Sequence, residues 1–261
     1  MRKELKILTD THAHLNDEAF DDDRDVIIKE LQGKLKWIIN NSYDGKSCDA
    51  SVELAERYDF IYAAVGIHPH DASSYCDALE NKIAVYLNHP KTVALGEIGL
   101  DYHYDLSPRD IQKEVFIKQI KLAEKFNMPI TVHSRDAVRD TYDILKNSLI
   151  CGRGAVLHSF SQSSEMLKLY LNMNVFFSIS GVVTFKNADR LREAVKQIPL
   201  DRMFVETDCP YMTPVPFRGK RNRPDMTEYT ARVCAELKEM PYEEFCELTA
   251  ENAERFFGIT K

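Results

Sequence analysis

At 261 residues, 44% of them hydrophobic, the chain suits one α/β barrel and is short for two domains. Ten glycines and ten prolines are too few for extended disorder, and a net charge of −7 excludes a passive protein that coats DNA through a basic field. Six cysteines without a Cys-x-x-Cys pair exclude a disulfide framework and point to reduced thiols in the cytoplasm.

In chain order, short apolar runs alternate with longer amphipathic ones. A strand at residues 5–10 leads to a helix at 23–32, and Asp21-Asp22-Asp23 suits the solvated start of that helix. Strands at 36–40 and 60–66 enclose a helix at 47–58, and a helix at 77–88 precedes a strand at 92–96. Residues 110–126 form the clearest helix, because Ile111, Val115, Ile120, Ala123 and Phe126 recur near the helical period behind the start signal Ser107-Pro108. Strands at 129–132, 155–157, 175–179 and 203–206 follow, with helices at 136–146, 163–171 and 187–197 between them. Helices at 227–238 and 241–257 come last, and Phe245, Leu248, Ala253, Phe256 and Phe257 of the final one are expected to close over the barrel.

Eight strands starting 20 to 37 residues apart predict a single (β/α)8 TIM-type barrel over residues 1–261, its active site at the C-terminal ends of the strands. The start of the chain has no apolar run of signal-peptide length. The longest uncharged stretch, 169–185, holds Asn172, Asn174, Ser178, Ser180 and Thr184 and reads as a buried strand with its flanks, not a membrane span.

Polar residues with metal-ligand chemistry gather after these strands. His12 and His14 follow the first. Residues two apart in extended chain face one way, so Asp10, His12 and His14 are expected on one face, with the two imidazoles on one divalent ion. Alone, His-x-His fits a pair of hydrogen-bonded loop histidines equally well. Glu97 ends the fourth strand, where its two oxygens can bridge two ions. His133 and His158 end the fifth and sixth. Asp208 follows the eighth, and by itself it is also a helix-capping carboxylate. Four of the eight histidines and two carboxylates thus share one barrel rim, which predicts a site for divalent cations: Zn²⁺, Mn²⁺ or the harder Mg²⁺. His89 and His103 lie outside this set, and Cys209 reads as a packed thiol.

The ligand candidates lie in longer segments. These are Asp10-Thr11-His12-Ala13-His14-Leu15, Val65-Gly66-Ile67-His68-Pro69-His70 and Ala94-Leu95-Gly96-Glu97-Ile98-Gly99-Leu100-Asp101-Tyr102. Then come Pro129-Ile130-Thr131-Val132-His133-Ser134-Arg135, His158-Ser159-Phe160, Ile179-Ser180-Gly181, Glu206-Thr207-Asp208-Cys209-Pro210-Tyr211 and Pro216-Phe217-Arg218-Gly219-Lys220-Arg221-Asn222. In this order they resemble the TatD family of metal-dependent deoxyribonucleases, in the amidohydrolase-type barrel superfamily. The resemblance implies two divalent cations: His12 and His14 on the first, His133 and His158 on the second, and Glu97 bridging. It implies that Asp208 touches metal and handles the proton of the nucleophile. The implied activity is hydrolysis of DNA phosphodiesters by a metal-activated water, as a 3′-to-5′ exonuclease. One departure is Arg223, where the family often has an acidic residue before proline.

The substrate is then expected to be DNA, single-stranded or damaged, and the protein a cytoplasmic monomer without a membrane partner. His68 is expected to contact phosphate, and His70 to be a structural loop residue. Tyr102 either stacks on a base or lines the pocket, or else it packs. Arg135 binds phosphate or pairs with a carboxylate. Arg218, Lys220, Arg221 and Arg223 form either a phosphate clamp or a solvated loop. Two rivals stand against this reading. The first is hydrolysis of a small cyclic amide in the same barrel; many such relatives bridge their metals with a carboxylated lysine, but here Glu97 holds that station and Lys91 lies before the strand. The second is a metal-binding scaffold, which has no need of Asp208.

Overall fold

Parallel strands covered on both faces favour continuous apolar runs, and several of the eight strands of the barrel are built from them. The computed structural model describes residues 7–148 and 152–259. The strands are β1 (Leu8–Ala13), β2 (Leu35–Asn41), β3 (Ile61–Val65), β4 (Thr92–Asp101), β5 (Ile130–Arg135), β6 (Ala155–Leu157), β7 (Val175–Ile179) and β8 (Met203–Val205). They lie in sequence order in one sheet, and each neighbouring pair is parallel. The sheet curls back on itself just past β8. There Asp208 N donates to His12 O at 2.8 Å and His14 N to Cys209 O at 2.9 Å.

The helices α1 (Arg24–Gln32), α2 (Gly45–Arg57), α3 (Asp77–Tyr86), α4 (Arg109–Lys125), α5 (Val138–Asn147), α6 (Ser164–Tyr170) and α7 (Asp189–Gln197) alternate with the strands, and α8 (Thr227–Leu237) and α9 (Tyr242–Phe257) follow β8. Local chemistry sets their ends. A capping box starts α2, with Ser47 N donating to the Asp44 carboxylate at 2.6 Å. Gly258, at φ 71°, stops α9 in the left-handed conformation that favours glycine. Asp136 takes φ 53°, so α5 starts at Val138 and not at 136.

The final helix does close the barrel, at the mouth opposite the ligand rim. Its Phe256 and Phe257 pack with Trp37, Ile39, Ala64, Ala94, Val156 and Phe204, and at the starts of β2 and β8 its Glu254 accepts from Trp37 Nε1 and its Asn252 donates to Met203 O. The Phe256 ring lies 4.6 Å from that of Phe176 and 5.4 Å from that of Phe204. Each buried phenylalanine contributes roughly 1.5–3 kcal/mol, so the plug anchors the end of the barrel that does no chemistry. A larger core of Ile, Leu and Val fills the space around the strands.

Strands β1, β2, β4 and β5 reach further toward the rim than the apolar pattern does, whereas β3 and β8 stop one residue short of it, at Val65 and Val205. β1 runs to Ala13 and not to Asp10, while Leu5 and Lys6 of the expected strand lie outside the described residues. β4 continues through Glu97 to Asp101, and β5 through His133 to Arg135, with Gly99 paired to His133 and Asp101 to Arg135. Ladder hydrogen bonds persist where side chains turn polar, because these side chains face the site and not a core. Cys48, Cys76, Cys209, Cys234 and Cys246 carry free thiols; Cys151 lies outside the described residues. Among the described residues, no helix is long and apolar enough to cross a membrane.

Candidate metal centre

The six predicted ligands meet at the C-terminal mouth of the barrel. From β1, the Nε2 atoms of His12 and His14 come within 3.1 Å of each other. His14 Nδ1 donates to the Asn41 carbonyl at 2.9 Å, so its proton is committed there and Nε2 keeps a free lone pair toward the centre. Glu97 sits between two groups of histidines. Its Oε2 is 3.2 Å from His12 Nε2 and 3.6 Å from His14 Nε2. Its Oε1 is 2.8 Å from His158 Nε2 and 2.9 Å from His133 Nδ1.

Asp208 approaches the first group, with Oδ1 3.4 Å from His14 Nε2 and 3.8 Å from His12 Nε2. Its backbone is left-handed, at φ 58°, a conformation that Asp tolerates better than most residues. The bond from its N–H to His12 O holds it there. Asp10 serves the same turn. The expectation that Asp10 shares a face with the histidine pair fails, because the β1 register is irregular between Asp10 and Ala13. The Asp10 carboxylate instead accepts from His12 N at 3.1 Å, Thr207 N at 2.9 Å and Thr207 Oγ1 at 2.5 Å. It ties the end of β8 to β1 underneath the site.

Two carboxylates orient the second pair of imidazoles, and neither was among the predicted site residues. Asp101 Oδ2 accepts from His133 Nε2 at 2.9 Å, which leaves the His133 Nδ1 lone pair facing Glu97. Glu206 Oε1 lies 3.3 Å from His158 Nδ1 and accepts from Ser159 N at 2.6 Å. A carboxylate behind a ligating histidine fixes its tautomer and raises its basicity. Strand alternation was the available signal: Asp101 is four residues past Glu97 and Glu206 two before Asp208, on the inward-facing parity.

Electrostatics follow this arrangement. Burial alone would raise the Glu97 carboxyl, but the neighbouring imidazoles, His158 first and then His12, hold it well below the usual carboxylate range. Burial works against charging His158, yet Glu97 and Glu206 together push it well above an ordinary imidazole. Asp208 is lowered against its burial by the His14 hydrogen bond and the charges of His158 and His12.

The residues fit divalent cations. Imidazole lone pairs converge on the two oxygens of one carboxylate that is 3% exposed, and His12 Nδ1 is buried without a partner. Ligand atoms of His12, His14 and Glu97 lie within 4.8 Å of one another, as do those of His12, His158 and Glu206 and those of His68, Glu97 and His133. His68 is nonetheless better suited to donate than to ligate. Its Nδ1 accepts from His70 N at 3.2 Å, which puts its proton on Nε2. That Nε2 faces Glu97 Oε1 at 3.6 Å.

The rim departs from expectation at several residues. Tyr102 packs away from the site: its hydroxyl donates to Asp140 at 2.6 Å and Arg109 lies over its ring at 4.4 Å. Alternation explains this, because Asp101 takes the inward parity. Arg135 has no carboxylate partner among the described residues and stacks over the Tyr104 ring at 4.9 Å. His70 lies in the turn after β3, with its Nε2 3.2 Å from Asp101 Oδ2. His89 pairs with Glu56 and His103 with Asp136, away from the ligands.

The basic segment is largely neutralised within the protein. Arg221 binds Asp23 at 2.6 Å and the Ala19 carbonyl, and Arg223 binds Glu30 at 2.8 Å and Asp225 at 3.2 Å. These pairs lock the loop after β8 onto the α1 region, which accounts for an arginine at 223. Arg218 stays exposed on the rim, over Phe185 at 3.9 Å and donating to Thr213 O at 3.0 Å. Lys91 binds the Asp59 carbonyl at 2.5 Å and does not enter the site. Burial raises the Cys209 thiol well above its usual range, as a packed thiol requires.

Gly99 makes the close approach of β4 to β5 possible. It has φ 143°, and a Cβ there would lie 2.0 Å from His133 O. Gly99→Ala is therefore expected to combine about 1–3 kcal/mol of backbone strain with a clash that shifts His133. Calorimetry should show Tm lowered by ~5 °C or more; an unchanged Tm would refute the tight fit.

Parallel barrel strands with histidines and a shared carboxylate at their C-terminal mouth define the class of metal-dependent barrel hydrolases. The family of TatD related DNases matches residues 9–258, and the chain belongs to that family. It is 47% identical over 254 residues to an uncharacterized metal-dependent hydrolase, YabD, of Bacillus subtilis, covering 97% of this chain and all of that one. It is 35% identical to the uncharacterized metal-dependent hydrolase YcfH of Escherichia coli, over 97% of this chain and 96% of that one. The crystal structure of YJJV, a TatD homolog from Escherichia coli, superposes with a TM-score of 0.92 at 28% identity, covering 98% of this chain and 99% of that one.

Proposed function

We propose that the protein hydrolyses DNA phosphodiesters with two divalent cations, as a 3′-to-5′ exonuclease on single-stranded or damaged DNA. The observation that carries this reading is the division of Glu97: Oε2 toward His12 and His14, Oε1 toward His133 and His158. One anion with an oxygen for each group of imidazoles suits a bridged pair of ions. His12, His14 and Asp208 would hold one, and His133 and His158 the other. When bound, the cations supply positive charge for the phosphate and acidify the attacking water.

The remaining steps belong to the protein. Asp208, whose lowered pKa keeps it ionised, is free to take the proton from the attacking water and pass it toward the leaving oxygen. His68 donates from Nε2 to a non-bridging phosphate oxygen; burial and the charge of His133 keep it neutral, so it stays a donor without repelling the cations. Asp101 and Glu206 hold His133 and His158 in the tautomers that face the centre. Arg218, exposed on the rim, would meet the DNA backbone. The lack of a lysine at the bridging station favours this chemistry over hydrolysis of a cyclic amide.

End-labelled single-stranded DNA should be shortened stepwise from the 3′ end in Mg²⁺, Mn²⁺ or Zn²⁺, faster than an intact duplex, and remain intact after chelation. Stable DNA under all three metals, alongside turnover of a dihydropyrimidine, would overturn the proposal.

A further inference from the structure

Tyr102 is withdrawn from the site, yet two other tyrosines stand open at its mouth. Tyr104, in the loop between β4 and α4, is 56% exposed, and Tyr211, in the loop after β8, is 53% exposed. In an eight-stranded barrel ordered β1 to β8, β4 and β8 are diametrically opposed. The two rings therefore flank the metal centre from opposite sides. A chain of ring contacts connects them through the ligands. Tyr104 meets His70 at 5.4 Å, and His70 meets His133 at 6.4 Å. His133 meets His158 at 5.4 Å, and His158 stacks on His12 at 4.1 Å. His12 meets His14 at 4.9 Å, and His14 reaches Tyr211 at 6.4 Å.

Both rings are held in place. Arg135 lies over Tyr104 at 4.9 Å from the ring centroid, and the Tyr211 hydroxyl donates to Asp17 at 2.8 Å. A rigid, exposed aromatic ring backed by a cation is a stacking platform for a nucleobase, and stacking is tolerant of base identity. A base inside a duplex already stacks on its neighbours and cannot offer its face to a protein ring.

We propose that Tyr104 and Tyr211 form a two-sided stacking clamp for unpaired bases of a single DNA strand whose phosphate lies over the metal centre. This rests on the nuclease reading and adds to it the residues that select single strands. The strand crosses the mouth from the β4 side to the β8 side, and Arg135 sets the Tyr104 ring at one end of that path.

Fluorescence anisotropy tests this with labelled single-stranded oligonucleotides on full-length Asp208→Asn protein, which is expected to bind without cutting. Tyr104→Ala in that background should weaken binding about ten-fold, and Tyr104→Trp should restore it. Tyr211→Phe, which keeps the ring and loses the Asp17 bond, should bind more tightly than Tyr211→Ala. On an oligonucleotide of equal length made abasic at its 3′ end, the Tyr104→Ala loss should vanish. In otherwise wild-type enzyme, Tyr104→Ala should raise KM for the intact strand far more than it lowers kcat. Parent-like binding by Tyr104→Ala, or equal losses on intact and abasic strands, overturns the clamp alone. Failure of the wild-type enzyme to cut, together with failure of the parent to bind, any single strand sinks the nuclease reading and the clamp together.

Discussion

Asp208→Asn should fold as the parent does and lose about 10²–10⁴-fold in kcat, the range that a positioned general base contributes. The exchange is nearly isosteric, and asparagine tolerates the left-handed backbone found at this position. The turn is also secured from outside the side chain. Asp208 N bonds His12 O, and the Asp10 carboxylate binds Thr207 N and Oγ1. What disappears is the anion 3.4 Å from His14 Nε2 that accepts a proton and would help His12 and His14 hold the first cation. Calorimetry and initial rates on end-labelled single-stranded DNA check the two halves separately. A variant with kcat within three-fold of the parent removes Asp208 from the chemistry; a variant that unfolds shows that its carboxylate is needed for the turn.

Glu97→Ala should abolish turnover and weaken metal binding by at least ~100-fold. That is the upper end of what loss of an outer-shell partner costs, and Glu97 is more central than that. Without it, the imidazoles of His12, His14, His133 and His158 face one another across a buried gap with no anion between them. Metal content measured by plasma mass spectrometry after gel filtration should fall from about two per chain. Added Mn²⁺ should raise the Tm of the wild type, because a ligand that binds only the folded state stabilises it, and should leave Glu97→Ala unmoved. Two retained ions in the variant would show that the carboxylate does not bridge.

The legibility of the site follows the geometry of strands. His12, His14, Glu97, His133, His158 and Asp208 could be placed on one rim because each follows an apolar run and parallel barrel strands all end on the same side. Asp101 and Tyr102 show the limit. They are neighbours in one motif, and only the strand parity beyond Glu97 tells which faces inward. The apolar pattern stops at Gly96, whereas β4 continues to Asp101. The sequence signal ends before the strand does, so it does not tell the inward acid from the aromatic residue beside it.

Charge was legible as composition and not as availability. Arg218, Lys220, Arg221 and Arg223 form a basic run, but the partners of Arg221 and Arg223 lie near the other end of the chain, at Asp23 and Glu30. Ion pairs over nearly 200 positions leave no local trace.

By itself, the sequence determined the alternation of strands and helices, the plugging helix at the end and the gathering of six candidate ligands on one rim. These depend on periodicity and on residue type at strand ends, which are local properties. Only the tertiary structure decided which nitrogen of each histidine faces the centre, that Asp101 and Glu206 support them, and which tyrosines stand open at the mouth. Those outcomes depend on distances between segments far apart in the chain. Curling the sheet until β8 meets β1 sets those distances, and no single strand carries them.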